Sequence, residues 1–182
     1  MKLLKRGERL FNKLYFGYLS KFNSNKYKKK YPVYLSKLGI NLSEKYVKSG
    51  HGYIAPTVVF DASDYSLISI GEHPTISLDV MFLTHDWSIA TGLKSFDKSL
   101  SGCFRKQISV GDNCFIGMRT IILPGTFIGN NVIVGAGSVV KGKFPDNVVI
   151  AGNPAKIIAK TDEWAKKHLE RKDYEARCTS RM

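Results

Sequence analysis

The 182-residue chain has few cysteines and no long apolar run. Its three cysteines, Cys103, Cys114 and Cys178, are an odd number and lack the spacing of a metal or redox motif. They indicate free thiols in a reducing compartment. No run reaches the roughly 18 apolar residues of a transmembrane helix, and the basic N-terminus lacks the apolar core of a secretory signal. We therefore expect a cytoplasmic protein.

Acidic residues are scarce only at the N-terminus. Residues 1–50 hold 13 Lys/Arg against 2 Asp/Glu, whereas residues 51–150 hold 7 against 8, so the net charge of +13 is largely an N-terminal property. A basic face is either simply solvated or binds an anionic partner. No nucleic-acid-binding motif accompanies it, so nucleic acid is not predicted as a partner. A membrane-surface contact through residues 1–30 is the remaining hypothesis.

The sequence predicts a basic helical segment over residues 1–50. Apolar side chains recur there at three- and four-residue intervals, with Lys and Arg between them. We expect a Lys-rich break at Asn23–Lys30, because Pro32 disfavours helix immediately before it. A second short helix is predicted at Val33–Leu38, ending near Gly39.

A six-residue period dominates the middle of the chain. An aliphatic side chain occupies every sixth position, and glycine follows it in four of six cases. The six positions are Val110, Ile116, Ile122, Ile128, Val134 and Val140. Such a period predicts a mainly β protein built as a parallel β-helix, in which each hexad forms one wall of a triangular coil and the aliphatic residues stack inside.

A second, earlier set has the same period but a different phase. Its members are Ile70, Ile76 and Phe82. Tyr53–Phe60 is interpreted as a preceding turn. The phase break predicts an inserted loop at 86–107, and long loops in compact repeats usually serve a function. We therefore expect a β-helix domain over 51–160 and a C-terminal helix over 161–182, with Thr161 as its N-cap.

Three segments in order resemble a known family. They are Ile116–Gly125, Ile128–Ser138 and Ala151–Lys156, the last reading A-G-N-P-A-K. The chain resembles the hexapeptide-repeat, left-handed β-helix acyltransferases over about residues 50–160, in particular the galactoside/maltose acetyltransferase-like branch and its relatives in surface-polysaccharide gene clusters. The resemblance implies acetyl-CoA as co-substrate, no metal, and a homotrimer with active sites between subunits.

His85 is the predicted general base. The family's catalytic histidine sits where the chain leaves the coil for the extended loop, and His85 matches that position. A neutral imidazole suits the task, because an acceptor hydroxyl that attacks a thioester must lose its proton near pH 7. Either Asp61 or Asp86 could orient the ring, and the resemblance favours Asp61. Trp87 is predicted to stack on a sugar, to line the groove of a neighbouring subunit or to pack within the loop, and Asp86 and Trp87 are the predicted substrate residues.

The resemblance also implies a set of coenzyme A contacts at the coil corners. Backbone groups would bind the pantetheine arm, cations would meet the phosphates, and a proline would lie near the adenine. The residues at the matching positions are Gly117, Arg119, Gly135, Ala136, Lys141, Pro154 and Lys156. Lys141-Gly142-Lys143 departs from the family's usual Thr-Lys-Asp, so the assignment of lysines to phosphates stays open.

These observations predict an acetyltransferase that O-acetylates a sugar of a surface polysaccharide or its precursor by direct transfer. N-acetylation of an amino sugar or another small acceptor uses the same base and is the alternative. A zinc enzyme would need three histidine ligands, and His51, His73 and His85 lack the expected arrangement. His168 lies in the terminal helix and has an ordinary solvated role. A non-catalytic β-helix scaffold is the alternative of another class.

Overall fold

The structure, a computed structural model, describes residues 6–61 and 64–176. Three helices precede most of the β-structure: α1 (Arg6–Phe22), α2 (Ser24–Leu38) and α3 (Glu44–Ser49). Two more follow later in the chain: α4 (Ser88–Lys94) and α5 (Thr161–Arg171). A short 3-10 turn covers Tyr65–Leu67.

The predicted break at Asn23–Lys30 is wrong, because one residue separates α1 from α2. The Asn23 side chain accepts a hydrogen bond from the Lys26 N–H at 3.0 Å and so caps α2 directly. The helix then continues through Pro32, which lacks the N–H that would bond the Lys28 carbonyl. Gly50 packs against that carbonyl, since a Cβ there would lie 2.6 Å from the oxygen.

The helical segment packs on the first coil of the β-structure through an aromatic cluster. The Phe16 ring lies 4.9 Å from the Tyr31 ring and 6.3 Å from the Tyr27 ring. The Tyr27 hydroxyl donates to the Ile54 carbonyl, and burial raises the pKa of Tyr27. Gly39 ends α2 in the left-handed conformation, as predicted.

The strands form stacked coils. Each coil contributes one strand to each of three parallel sheets, the walls of the β-helix, in turn. Coil 1 contains β1 (Asn41–Leu42), β2 (Tyr53–Ile54) and β3 (Val59–Phe60). Coil 2 contains β4 (Ile68–Ile70), β5 (Thr75–Ile76) and β6 (Met81–Phe82). A hairpin of β7 (His85–Asp86) and β8 (Phe104–Arg105) follows. Coil 3 contains β9 (Ile108–Val110), β10 (Phe115–Ile116) and β11 (Ile121–Ile122).

Coil 4 contains β12 (Phe127–Ile128), β13 (Ile133–Val134) and β14 (Val139–Val140). The last turn contains β15 (Lys143–Phe144) and β16 (Val148–Gly152), and β17 (Ala155–Lys160) folds back antiparallel on β16. Within a wall, strands of successive coils pair in parallel. Wall 1 begins with β1, wall 2 with β2 and wall 3 with β3, and we name the corners after the walls they join.

The hexad positions form the core, as the period predicts. All six aliphatic residues of the main set and all three of the earlier set are 0–2% exposed. The phase break is also present in the structure. Wall 1 continues from β4 to β9, with Ile70 opposite Val110, although the chain between coils 2 and 3 leaves the stack and returns. The inserted loop therefore projects from corner 3–1 without interrupting the stack.

Both ends of the β-helix differ in detail from expectation. β1 lies ahead of residue 51 and pairs with β4, so the segment 1–50 contains a strand as well as helices. Thr161 is the first residue of α5, and Lys160 holds the N-cap position. The Thr161 hydroxyl donates instead to the Asn131 carbonyl at 2.9 Å, which ties α5 to corner 1–2.

Candidate active site

The structure brings His85 and Asp61 together at corner 3–1. Oδ2 of Asp61 accepts a hydrogen bond from Nδ1 of His85 and a second from the His85 backbone N–H at 3.1 Å. Asp61 is buried, whereas the His85 side chain is 33% exposed. Asp86 turns away and accepts from the Ser88 N–H at 2.7 Å. Of the two carboxylates considered, Asp61 is the one that contacts the ring.

Strand pairing explains why residues so distant in sequence meet. β3 pairs with β6 in parallel, with Phe60 opposite Phe82 and their rings stacked at 5.2 Å. Asp61 follows β3, and its N–H donates to the Phe82 carbonyl at 3.0 Å. His85 lies three residues after Phe82. The same corner of two successive coils therefore supplies the carboxylate and the imidazole.

The contact determines which ring nitrogen can act as a base. An ionised carboxylate only accepts hydrogen bonds, so Nδ1 of His85 carries the ring proton in the neutral state. Nε2 then keeps its lone pair and can accept a proton. A buried carboxylate beside the ring also stabilises the imidazolium that forms when Nε2 takes one. The pair has the chemistry of a general base with an orienting group.

Thr84 is part of this site, although the sequence did not indicate it. Its backbone N–H and its hydroxyl donate to Oδ2 of Asp61 at 3.0 and 2.9 Å, and the side chain is fully buried. Charge-assisted bonds of this kind are stronger than neutral ones and fix the carboxylate. The only signal in the sequence is the position of Thr84 immediately before His85.

A shallow hollow lies beside the pair. It encloses about 180 Å³ and is lined by side chains from the loop root and from coils 3 and 4. The lining residues are Asp86, Phe104, Lys106, Leu123, Pro124 and Lys141. The proximity of Lys141 and the bond from Ser88 lower the pKa of Asp86, the Ser88 bond having the larger effect. Trp87 follows Asp86 in sequence at the start of α4, and its side chain is exposed.

A second group of predicted residues stacks at corner 2–3. Gly117 is buried beneath coil 4, and a Cβ on it would lie 2.4 Å from the Ala136 nitrogen. A Cβ on Gly135 would lie 2.9 Å from the Ala151 Cβ. Ala136 itself is exposed. Small residues thus produce a corner of low relief, where a thin ligand can approach the backbone of Ala136 more readily than that of Gly117.

The predicted cations divide between the two corners. Arg119, Pro154 and Lys156 are exposed on corner 2–3 or the turn above it, and Arg119 lies 4.0 Å from Asp79. Lys141 follows wall 3 and lines the same hollow as Asp86, the neighbour of His85 in sequence. One six-residue wall, at most about 20 Å of extended chain, separates the corners. Within one chain, the predicted base and most of the predicted coenzyme contacts therefore lie on opposite edges of wall 3.

The other three histidines and Cys114 have contacts elsewhere in the fold. His51 and His73 stack on each other with ring centroids 6.2 Å apart, and His168 bonds Asp173 at 2.7 Å. Within residues 6–61 and 64–176, no group of three or more His, Cys, Asp or Glu side chains could hold a metal ion. Cys114 points into the core, and burial raises the pKa of its thiol to about 11. Cys178 lies outside the described residues.

None of the described helices has the length and hydropathy needed to cross a bilayer.

Known proteins resemble the chain in sequence. Residues 107–141 match the family described as the hexapeptide repeat of succinyl-transferase. The putative lipopolysaccharide biosynthesis O-acetyl transferase WbbJ of Escherichia coli K12 is 32% identical over 151 residues, which cover 72% of this chain and 77% of WbbJ. Protein CapG of Staphylococcus aureus is 41% identical over 112 residues, covering 62% and 63%. The chain thus spans less than two thirds of CapG.

Solved structures show the same fold. A galactoside acetyltransferase in complex with coenzyme A superposes with a TM-score of 0.59 at 21% identity, over 98% of this chain and 93% of that one. A hexapeptide-repeat acetyltransferase of Vibrio cholerae complexed with acetyl-CoA gives a TM-score of 0.55 at 26% identity, over 68% and 61%.

The chain belongs to the family of hexapeptide-repeat acetyltransferases. Its match to WbbJ, together with the repeat itself, establishes this membership. The predicted family and the predicted left-handed parallel β-helix are confirmed. The predicted class of enzyme, an acetyltransferase, is the one that the relatives' names describe, and solved neighbours carry coenzyme A or acetyl-CoA.

Proposed function

We propose that this protein transfers an acetyl group from acetyl-CoA to a sugar hydroxyl of a surface polysaccharide or its precursor, in the cytoplasm. The single observation that carries the proposal is the contact of His85 with the buried Asp61 at the root of the loop. The name of WbbJ, an O-acetyl transferase of lipopolysaccharide biosynthesis, supports the acceptor class. We assign the chemistry to the domain 51–160, with its loop insertion at 86–107.

The proposed reaction is a direct transfer with His85 as the catalytic base. Nε2 removes the proton of the acceptor hydroxyl while its oxygen attacks the thioester carbonyl. The new C–O ester bond forms, the C–S bond breaks, and the imidazolium returns the proton to the departing thiolate of CoA. A backbone N–H beside the carbonyl stabilises the oxyanion of the tetrahedral intermediate. Asp61 stabilises the transient positive charge on the ring.

The acceptor is proposed to occupy the hollow next to His85. Asp86 is partly exposed there and can accept hydrogen bonds from sugar hydroxyls, while the exposed ring of Trp87 offers a stacking surface. Lys106 and Lys141 add positive charge to the hollow, so an acceptor that carries a phosphate or carboxylate fits it as well.

Coenzyme A is proposed to lie along corner 2–3 of a neighbouring subunit. The exposed backbone at Ala136 suits the pantetheine arm, and Gly135 allows the last turn to pack closely on coil 4. Arg119 and Lys156 are exposed cations near that path, and Pro154 lies at its upper end. Lys141 stands on the His85 side, so it would meet the coenzyme across the subunit boundary.

The outer surface of wall 3 supports the proposed homotrimer. Val59, Met81, Ile121 and Val139 lie side by side in register, all pointing outward, and the described residues leave them partly exposed. Such a column on a repeat protein is a contact surface. A neighbour on this wall would bring its own corner 2–3 towards His85 and so complete the site.

Assembly is testable with two matched charge insertions. We expect Ile121→Lys to dissociate the trimer in sedimentation experiments, because it places a charge in the centre of the proposed contact. Ser109→Lys, on the outer side of wall 1, is the control and should leave the assembly intact. A wild-type monomer, or equal behaviour of the two variants, would contradict the arrangement.

The activity is tested by incubating the full chain with acetyl-CoA and a panel of sugars, nucleotide sugars and oligosaccharides. We expect CoA release together with a product whose mass has increased by one acetyl group. Mild alkali then distinguishes the linkage, since an ester is cleaved and an amide is not. A stable amide on an amino sugar would replace the O-acetyl proposal by the N-acetyl alternative, and the absence of transfer to any acceptor would favour a non-catalytic scaffold.

A further inference from the structure

The outer face of α1 is apolar and exposed. Its five large side chains are Leu10, Phe11, Leu14, Tyr18 and Phe22, each 60–72% exposed. The inner face is apolar as well, with Phe16 and Leu19 buried beneath it. A helix on the surface of a soluble domain normally has a polar outer face. A helix that is apolar on both faces therefore needs a cover on its outer side.

The charge around this face indicates what kind of cover fits. Lys13 and Lys21 are exposed on α1, and Lys26, Lys29 and Lys30 are exposed on α2. Among the described residues, none of these five lysines forms a salt bridge. Residues 1–50 carry a net charge of +11, whereas residues 51–150 carry a net charge of −1. The nearly neutral β-helix of a second copy would offer this segment little opposite charge, whereas an anionic surface complements it.

An open groove runs along the same side of the helix. Leu10, Leu14 and Tyr18 form part of one wall, Pro56 and Leu78 part of the other, and the groove encloses about 760 Å³. The outer side chains of α1 thus do not pack down on the β-helix. They are therefore accessible for burial in another apolar environment.

We propose that α1 docks the protein on an anionic lipid bilayer. The helix lies parallel to the surface, with its outer apolar side chains at the boundary between headgroups and acyl chains, and the lysines of α1 and α2 contact lipid phosphates. The attachment is peripheral. It does not depend on the proposed acetyl transfer, whose base lies at corner 3–1 of the β-helix.

The test is flotation of the full chain with vesicles of phosphatidylcholine, with and without phosphatidylglycerol. Phe11→Ser with Leu14→Ser removes two outer side chains, and we expect at least about a hundredfold weaker binding to the anionic vesicles, since burial of each side chain contributes about tenfold or more. Leu169→Ser is the control, because Leu169 is also a helical leucine, 57% exposed, on α5. Lys13→Gln with Lys21→Gln should weaken binding only where phosphatidylglycerol is present.

Two results would overturn the proposal. One is wild-type protein that floats with neither kind of vesicle; a change of oligomeric state in the Phe11/Leu14 variant would then identify the face as a subunit contact. The other is equal loss of binding in the Phe11/Leu14 and Leu169 variants. Unchanged thermal unfolding and unchanged CoA release with a soluble acceptor confirm that the variants are folded.

Discussion

Replacement of Asp61 by Asn tests the part assigned to the carboxylate. The substitution keeps the shape of the side chain and an oxygen that can accept from Thr84 and from the His85 N–H. It removes the negative charge beside the imidazole. An amide can also donate to Nδ1, which would shift the ring proton to Nε2 and remove the base.

The size of the effect follows from the electrostatics of the pair. A full imidazolium about 4 Å from a carboxylate gains about 4 kcal/mol at an effective dielectric constant of about 20. With the proton about half transferred in the transition state, the loss is about 2 kcal/mol. Since about 1.36 kcal/mol corresponds to tenfold in rate, kcat should fall by about 30-fold, and further if the tautomer also changes.

The assay is CoA release measured with a thiol reagent at saturating acceptor and acetyl-CoA. We expect kcat to fall while the KM for acetyl-CoA and the thermal midpoint stay near the wild-type values, because the Asp61 side chain bonds Thr84 and His85 at corner 3–1 and Asn keeps its shape. Thr84→Val removes only the hydroxyl bond to Asp61, worth about 1 kcal/mol, and should cost about fivefold. A loss of less than about threefold in the Asn variant would refute the reasoning.

Three further predictions concern the β-helix. Gly117→Ala forces its Cβ into the coil above and should lower the unfolding free energy by about 1–3 kcal/mol, whereas Gly92→Ala, with open space, should not destabilise in thermal melts. Ile122→Ala should cost about 2–5 kcal/mol in denaturant unfolding. Burial raises the pKa of the Cys114 thiol on folding from 9.0 to about 11, so the folded state binds this proton more tightly than the unfolded state. The free energy of unfolding should therefore fall as the pH rises from 9 to 11. Cys114→Val should flatten this pH dependence, and an unchanged slope would contradict the assignment.

The hexad period predicted the core because it reports a property of single positions. Each inward residue must be aliphatic irrespective of what lies elsewhere, so Ile116 and Ile122 could be placed from spacing alone. The phase break also located the root of the loop at His85. The same arithmetic places Gly117 and Gly135 one coil apart and Lys141 a single wall later, so the division of the cofactor residues between two corners was available from the sequence.

Other features depend on contacts between distant residues, which no local pattern contains. Thr84 bonds Asp61 only because β3 pairs with β6. α2 continues through Pro32, and Gly50 packs against the carbonyl that Pro32 leaves without its helical partner. β1, only two residues long, has no periodicity to detect. In each case the structure is determined by contacts between distant residues and not by the local sequence.

The central claim is that His85 is the base for acetyl transfer, and His85→Ala tests it most directly. Both CoA binding and CoA release are measured on the same folded variant, with His73→Ala as the matched control because His73 lies on corner 1–2, away from the site. A general base contributes about 10²- to 10⁴-fold, so kcat should fall by that factor while the dissociation constant of CoA is retained. An unchanged rate of CoA release in the His85 variant would contradict the account.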